Sequence, residues 1–405
     1  MENKIEKPIL LLNIDINQTI IFKDLYNNQS LETGLINCFC SEIWGSVNKD
    51  ENKWVLYSDN LSSTPPAKNL ISYSDYINSI YKLKTEKEIP DEKQRYEINL
   101  KIYDKQFQEN IKFFDKGYPG EPLKQKYNTI INKLKIPENI MKEIDKENSL
   151  YEDFYKNLYV NGYNFILPSL FRLMIELHNQ KRVFKIIFRT FGKDFNDLKL
   201  EFNSFCEGKH PIFNGKIPEY PKLFFDGTHG STDYRILDEN IGVVKRFSEN
   251  EGDCILVIGE NNEKSFKNKN ELMDYYNKKN NKIICGNIEI FKYFKNFLDK
   301  NNYNSVIISD DFEYWFKHGE LKEYGKIMFI DPDNEKVHPI FFDDCINDDD
   351  KSIVDCWNIK TGVTMSNKET INKYIFKVYP IEAVCDEFYF LNKVKEAETN
   401  RKNKD

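Results

Sequence analysis

The sequence predicts an α/β protein whose core is a mostly parallel sheet with both faces covered. Two observations carry this prediction: short continuous apolar runs that each end in polar residues, and helical segments that lead straight into two of those runs. A strand buried on both faces has no solvated side, so it loses the apolar–polar alternation of a half-exposed strand.

The first run is PILLLNID, residues 8–15, followed by RVFKIIFRT (182–190), NSVIISDD (304–311) and HPIFFDD (338–344). DCILVIGE (253–260) and KIMFID (326–331) are two further candidates. The segment 164–180, NFILPSLFRLMIELHNQ, has apolar residues at helical spacing and runs into the 182–190 strand, which makes half of a βαβ unit. GNIEIFKYFKNFLDKNN (286–302) does the same for 304–311, with Ile288, Phe291, Phe294 and Leu298 on one face. Residues 30–47 read as a helix capped by Ser30 or Thr33, and 91–114 as a solvated helix. Pro65–Pro66 and GYPGEP (117–122) punctuate that region, and the charged end KVKEAETNRKNKD reads as a frayed tail.

At 405 residues the chain exceeds one ordinary domain, so a core with a large insertion or a second domain is expected. Hydrophobic residues make up 40% and include 30 Phe and 24 Tyr, enough for a sizeable core. A net charge of −7 argues against a general binder of nucleic acid or anionic membrane. The cysteines (Cys38, Cys40, Cys206, Cys254, Cys285, Cys345, Cys356, Cys385) form no CxxC pair, so free buried thiols in a reducing compartment are expected. Cys38–Cys40 lacks a second pair to complete a zinc site. The apolar stretch Ile9–Ile14 is too short for a signal peptide and no run would span a bilayer, so the expected location is cytoplasmic. No GxxxxGK loop, strand-linked GxGxxG, GxSxG or HExxH occurs.

Three strand ends could carry chemistry. In LLLNIDINQTI, Asp15 ends an apolar run, with Asn17 two and Thr19 four residues later. A carboxylate at the carboxyl end of a central strand lies where open α/β sheets place their ligands; it can act as a nucleophile or hold a metal. The plainer alternative is a strand end with an Asx turn. In KIIFRTFG, Thr190 offers a hydroxyl and Gly192 leaves room for a close approach of backbone. In HPIFFDDCIND, Asp343 and Asp344 are adjacent acids whose repulsion a hard cation such as Mg²⁺ would relieve, although acids 348–350 suit an exposed loop equally. Asp310–Asp311 is a rival acidic pair, and His229 is the one histidine in a loop suited to a site.

The order strand–DxNxT, strand–Thr, strand–Asp-Asp resembles the haloacid-dehalogenase-like (HAD-like) superfamily, and within it a group with a DxNxT first motif followed by a long insertion. The resemblance covers residues 8–20, 164–192 and 304–345. It implies a Rossmannoid core from 1–19, 164–194 and 301–395, a large, mostly helical cap over 20–163, a second insertion over 195–300 that returns to the core, and a flexible tail over 396–405. It implies Asp15 as nucleophile and Mg²⁺ ligand, Asn17 lending its carbonyl to the metal, Thr190 holding phosphoryl oxygens, and Asp343 with Asp344 completing the metal site. Lys326 is the expected phosphate-neutralising lysine, with Lys317 and Lys322 as rivals, and Thr19 and Gly192 are further candidates for substrate contact. The implied activity is Mg²⁺-dependent hydrolysis of a small phosphorylated metabolite through an aspartyl-phosphate. Asn17 is the departure: the superfamily's phosphatases carry an Asp there as acid and base, and an amide can be neither. Losing such a group removes a factor of about a hundred to ten thousand in rate. The alternative is therefore a HAD-like binding or regulatory protein with little turnover. A dehalogenase-like hydrolase also tolerates that loss, since halide leaves without a proton.

Overall fold

The computed structural model describes residues 7–22, 30–48, 50, 52–146, 149–159, 161–192, 195–247, 254–259, 264, 266–299, 304–347 and 352–402. Acids 348–350 therefore lie outside the described residues. The chain is mixed α/β around an eight-stranded sheet. Its strands run in the order Ile375–Lys377, Val337–Asp343, Ile9–Asp15, Phe184–Thr190, Ser305–Ser309, Ile236–Arg246, Cys254–Ile258, Lys282–Cys285. The first six pair in parallel and the last two join antiparallel. The opening strand is central: the next strands at 184 and 305 extend the sheet to one side, those at 337 and 375 to the other. Asp15 thus ends the strand beside which the chain's direction of travel reverses, the place where open sheets leave a crevice.

The apolar runs behave as their composition requires. Every residue of Phe184–Thr190 is buried, as are all but the first of Ile9–Asp15. The helix Pro168–Asn179 covers one sheet face through Leu170, Phe171 and Met174, with Pro168 at its first turn, where its missing N–H costs nothing.

Several expectations need correction. KIMFID forms a strand, Lys326–Ile330, but not in the main sheet. It pairs in parallel with Val354–Asn358, which pairs antiparallel with Val363–Thr364, in a separate three-stranded sheet. That sheet lies over the core: Ile327 packs with Leu11 and Ile187, while Met328 and Ile330 pack with Phe341. The span 195–300 is no separate insertion. After the helix Phe195–Cys206 it adds three strands to the main sheet. One of these, Ile236–Arg246, escapes an apolar-run search because its first half is polar and a register shift separates Ile236 from Ile241. On the helix Asn287–Asp299 the buried face centres on Ile290, while Ile288 is 44% exposed.

Residues 30–47 split into a helix, Leu31–Glu42, whose Ser30 cap accepts the Thr33 N–H at 3.3 Å, and a strand, Trp44–Asn48. That strand pairs antiparallel with Lys53–Leu56 and Ile71–Ser72. The rest of the inserted segment is helical, with Glu92–Ile111 the longest element and only Asn99, Gln106 and Asn110 of it buried. Its aromatic centre, Phe39, Phe113, Phe114 and Tyr127, is continuous with the apolar layer beneath the sheet. Within the described residues the charged end is helical up to Lys402: a helix runs from Tyr389 to Lys402, buries Ala397, and Arg401 Nη1 donates to the Val337 carbonyl at 2.7 Å.

Glu42 joins insertion to core. It is 2% exposed and accepts the Ile381 N–H at 3.1 Å. Burial pushes its carboxyl up to about 8, against the pull of that N–H. A folded pKa above the unfolded value near 4.3 means stability present at low pH that is lost as pH rises toward 8. Relative to Glu42→Gln, the wild type should lose stability between pH 5 and 8 by up to about 1.4 kcal/mol per pH unit. Urea unfolding at both pH values checks this, and the same pH dependence in the two proteins would sink it.

Candidate functional site

Asp15 is the last residue of its strand, in register with Arg189 on one side and one step beyond the Ile14–Phe342 pair on the other. Asp343 ends the neighbouring strand, and Thr190 ends the strand on the opposite flank. Lys326 enters from the small sheet. Its ammonium donates to Asp15 Oδ1 and, at 2.9 Å, to Asp343 Oδ2. The three side chains are 6% (Asp15), 0% (Asp343) and 1% (Lys326) exposed, so the ammonium bridges two carboxylates with almost no water present.

Burial opposes all these charges. It lowers the Lys326 pKa, but Asp15 and Asp343 outweigh it and hold the ammonium protonated, well above the ordinary lysine value. Burial likewise raises the Asp15 carboxyl; Lys326 pulls it down, Asp343 and Asp344 push it up, and the net shift is upward. Asp344 is only half-buried, yet crowding by protein and then the Asp343 charge bring it up to about 7. Lys326 lies between Asp15 and Asp343 and Lys377 acts on Asp344, and the mutual repulsion of the three acids that remains is what a bound cation would relieve. Asp343, Asp344 and Cys345 offer ligand atoms within 4.8 Å of one another.

The remaining candidates have defined partners. Thr19 is fully buried; its hydroxyl oxygen lies 3.5 Å from Asp344 Oδ1 and accepts the Asp344 N–H at 3.2 Å, so it positions the acidic pair. Thr190 Oγ1 accepts the Gly192 N–H at 2.7 Å, which commits the Gly192 amide to a turn and leaves the Thr190 hydroxyl hydrogen to be aimed elsewhere. Asn17 sits in a tight loop where the Ile20 and Ile21 N–H groups both return to the Ile16 carbonyl. Its Oδ1 is buried and accepts no hydrogen bond among the described residues.

The rivals are employed elsewhere. Asp310 is held bidentate by Arg189 (Nε to Oδ2 2.8 Å, Nη2 to Oδ1 2.5 Å), and Asp311 caps the helix Phe312–Lys317. Lys317 pairs with Glu313 and Glu92, and Lys322 donates to Asn367. His229 lies exposed beside the Phe224 ring. Cys38 and Cys40 are buried free thiols. A cavity of about 490 Å³ opens on the sheet face below the site, walled by Leu11, Ile187, Phe291, Phe294 and Phe329. It does not include Asp15, Asp343 or Lys326.

Two contributors escape a reading of motifs. Arg189 binds Asp310 and, through Nη1, the Ile327 carbonyl at 3.0 Å, which fixes the strand that delivers Lys326. Gln18, at φ 58°, accepts from Asn37 Nδ2 (3.2 Å) and ties the Asp15 loop to the first inserted helix. An arginine inside the apolar run IIFRTF, one residue before Thr190, is a sequence signal for the first; the second leaves none.

Comparison with known proteins returns no matching family model, no matching curated protein and no matching solved structure.

Proposed function

We propose that the chain is a HAD-like, Mg²⁺-dependent phosphohydrolase acting on a small phosphorylated substrate through Asp15. The observation that carries this is the buried Lys326 ammonium bound to both Asp15 and Asp343, residues 311 and 17 positions away from it in the chain, at adjacent parallel strand ends. The strand order around Asp15 agrees with a Rossmannoid core. In this reading an Asp15 oxygen attacks phosphorus, the bond from phosphorus to the leaving oxygen breaks, and water later cleaves the aspartyl-phosphate. Lys326 offsets the negative charge on the phosphoryl oxygens, and the Thr190 hydroxyl can donate to one of them. In this reading Asp343 and Asp344, whose ligand atoms lie within 4.8 Å of each other, would hold the cation, with Asp15 and the carbonyl of Asn17 as further donors. Bound there, Mg²⁺ would supply electrostatic stabilisation of the transferring group.

The second reading, a binding protein with little turnover, is favoured by one specific feature: Asn17 offers no acid, and its buried Oδ1 is unpartnered. A panel of small phosphate esters and acyl phosphates, run with Mg²⁺ and with chelator, separates the two. Mg²⁺-dependent release of phosphate supports hydrolysis. No release, together with failure to capture beryllium fluoride, supports binding alone.

The metal has its own test. Mg²⁺ at about a hundred times its Kd should stabilise the native state by about 2.7 kcal/mol, read as a rise in Tm. Asp343→Ala should abolish the rise, whatever its own starting Tm. An equal rise in the variant would place the cation elsewhere.

A further inference from the structure

We propose that the cavity under the sheet face binds an aliphatic carboxylate of medium chain length, with its head on Lys295 and Lys336 and its chain laid along the opening strand. The inference does not depend on the phosphohydrolase reading, because the cavity includes none of Asp15, Asp343 and Lys326.

Ile9, Leu11 and Asn13 are alternate residues of that strand, so they face the same side of the sheet, and all three line the cavity. The space therefore follows the strand for about 13 Å at the usual rise per residue. Opposite it stands the helix Asn287–Asp299, which presents Phe291, Phe294, Lys295 and Leu298, a spacing that puts them on one helical face. Ile327 and Phe329 of the small sheet line it as well. Phe291, Phe294 and Leu298 are the apolar stripe of their helix, yet they stay half-buried. The volume they line, about 490 Å³, is that of a small-molecule pocket, and an apolar chain that displaced water from it would be favoured.

Charge divides the two ends of the cavity. The inner end lies toward Asp15 and Thr190, and there the Arg189 guanidinium is held bidentate by Asp310. Asn13 Nδ2, beside it, faces the Met328 sulfur at 3.7 Å. The outer end lies at the start of the strands. Lys336 directly precedes the strand Val337–Asp343, and its carbonyl accepts the Ile9 N–H at 2.8 Å. The ammonium of Lys185, near the start of the strand Phe184–Thr190, donates to the Phe297 carbonyl, which brings the last turns of the helix, with Lys295, to the same edge. Lys295 and Lys336 are exposed, and no carboxylate of a described residue pairs with either. The acid on this rim, Asp331, lies 3.5 Å from the Lys360 ammonium. Two unpaired positive charges at the mouth of an apolar channel complement one anionic head on an apolar chain. A carboxylate held at the mouth also keeps much of its hydration, so it avoids the cost of a buried ion.

Calorimetric titration of the full-length protein with octanoate, octan-1-ol and butyrate, each at two temperatures, tests this. Octanoate should bind about tenfold more tightly than either the alcohol, which lacks the charge, or butyrate, which lacks the chain. Lys295→Gln combined with Lys336→Gln should weaken octanoate about tenfold and leave octanol unchanged; both positions are exposed, so the fold is retained. Leu298→Trp, which crowds the cavity from a half-buried position, should weaken octanoate and octanol alike. Equal affinity for octanoate and octanol in the wild type would overturn the carboxylate assignment. Octanoate binding that none of these substitutions changes would place the ligand elsewhere and overturn the site. No heat from octanoate at either temperature would end the proposal, because burial of an apolar chain changes the heat capacity and cannot be silent at both.

Discussion

Lys326→Met should destabilise the protein by about 3–5 kcal/mol near neutral pH, the cost of leaving a buried charge without its partner. The side chain replaced is 1% exposed and holds two carboxylates that are themselves buried. Methionine fills much of the same volume, so the loss is electrostatic rather than a cavity. The deficit should also shrink on acidification. Without the ammonium, the buried carboxyl groups have folded pKa values above their unfolded ones, so the stability of the variant is highest at low pH and falls as pH rises through those values. Urea unfolding of wild type and variant at pH 4.5 and 7.5 reads both effects. Lys142→Met, whose wild-type side chain is 79% exposed, provides the contrast and should stay within about 0.5 kcal/mol of wild type. A loss below about 1 kcal/mol at pH 7.5 for Lys326→Met would mean that the carboxylates are balanced by something other than this ammonium.

The strand ends were legible because a strand buried on both faces must be an unbroken apolar run, and a polar residue at its end marks the sheet edge where chemistry can sit. Asp15, Thr190 and Asp343 all follow that rule. Lys326 was singled out from the resemblance alone: in a chain with 58 basic residues, nothing local marks the few that are buried. What delivers it, a second small sheet lying over the first, depends on long-range pairing between residues 326–330 and 354–358 that no local period encodes. Arg189 shows the opposite difficulty. A charge inside an apolar run argues locally for exposure, yet it is 3% exposed because Asp310, on the next strand's end, completes a bidentate pair. Tyr103 lies on a helix that reads as solvated, and most of that helix is; its contacts with Phe316 and Glu320 come from far along the chain. The strand that links the parallel part of the sheet to its antiparallel end was missed for a simpler reason. Ile236–Arg246 carries its polar residues at the start and its register shift in the middle, and both break the run.

On the proposed phosphohydrolase reading, Asp15→Asn should reduce turnover of any phosphate ester by about a thousandfold or more, since it would remove the nucleophile while keeping nearly the same shape. The more informative change is beside it. Asn17→Asp places an acid at a half-buried position whose Oδ1 now accepts no hydrogen bond among the described residues, so no hydrogen bond to that oxygen is lost. For an alkyl phosphate, whose leaving oxygen needs a proton, the gain should approach about a hundredfold at slightly acidic pH. For an aryl phosphate it should be nearer tenfold, about 1.4 kcal/mol of barrier, and should come mostly from faster hydrolysis of the aspartyl-phosphate, because a base then activates the attacking water. Burst kinetics separate the two half-reactions: wild type should show a burst of aryl product followed by a slow steady rate, and Asn17→Asp should raise the steady rate and erase the burst. The double change Asn17→Asp with Asp15→Asn should be inactive, which excludes a contaminating enzyme. If the wild type already turns over alkyl phosphates efficiently and Asn17→Asp adds nothing, another group supplies the proton and Asn17 is not the reason for slow turnover. If the single change is silent because no variant forms a phosphoenzyme at all, Asp15 is not a nucleophile, and its bond to Lys326 serves the fold instead.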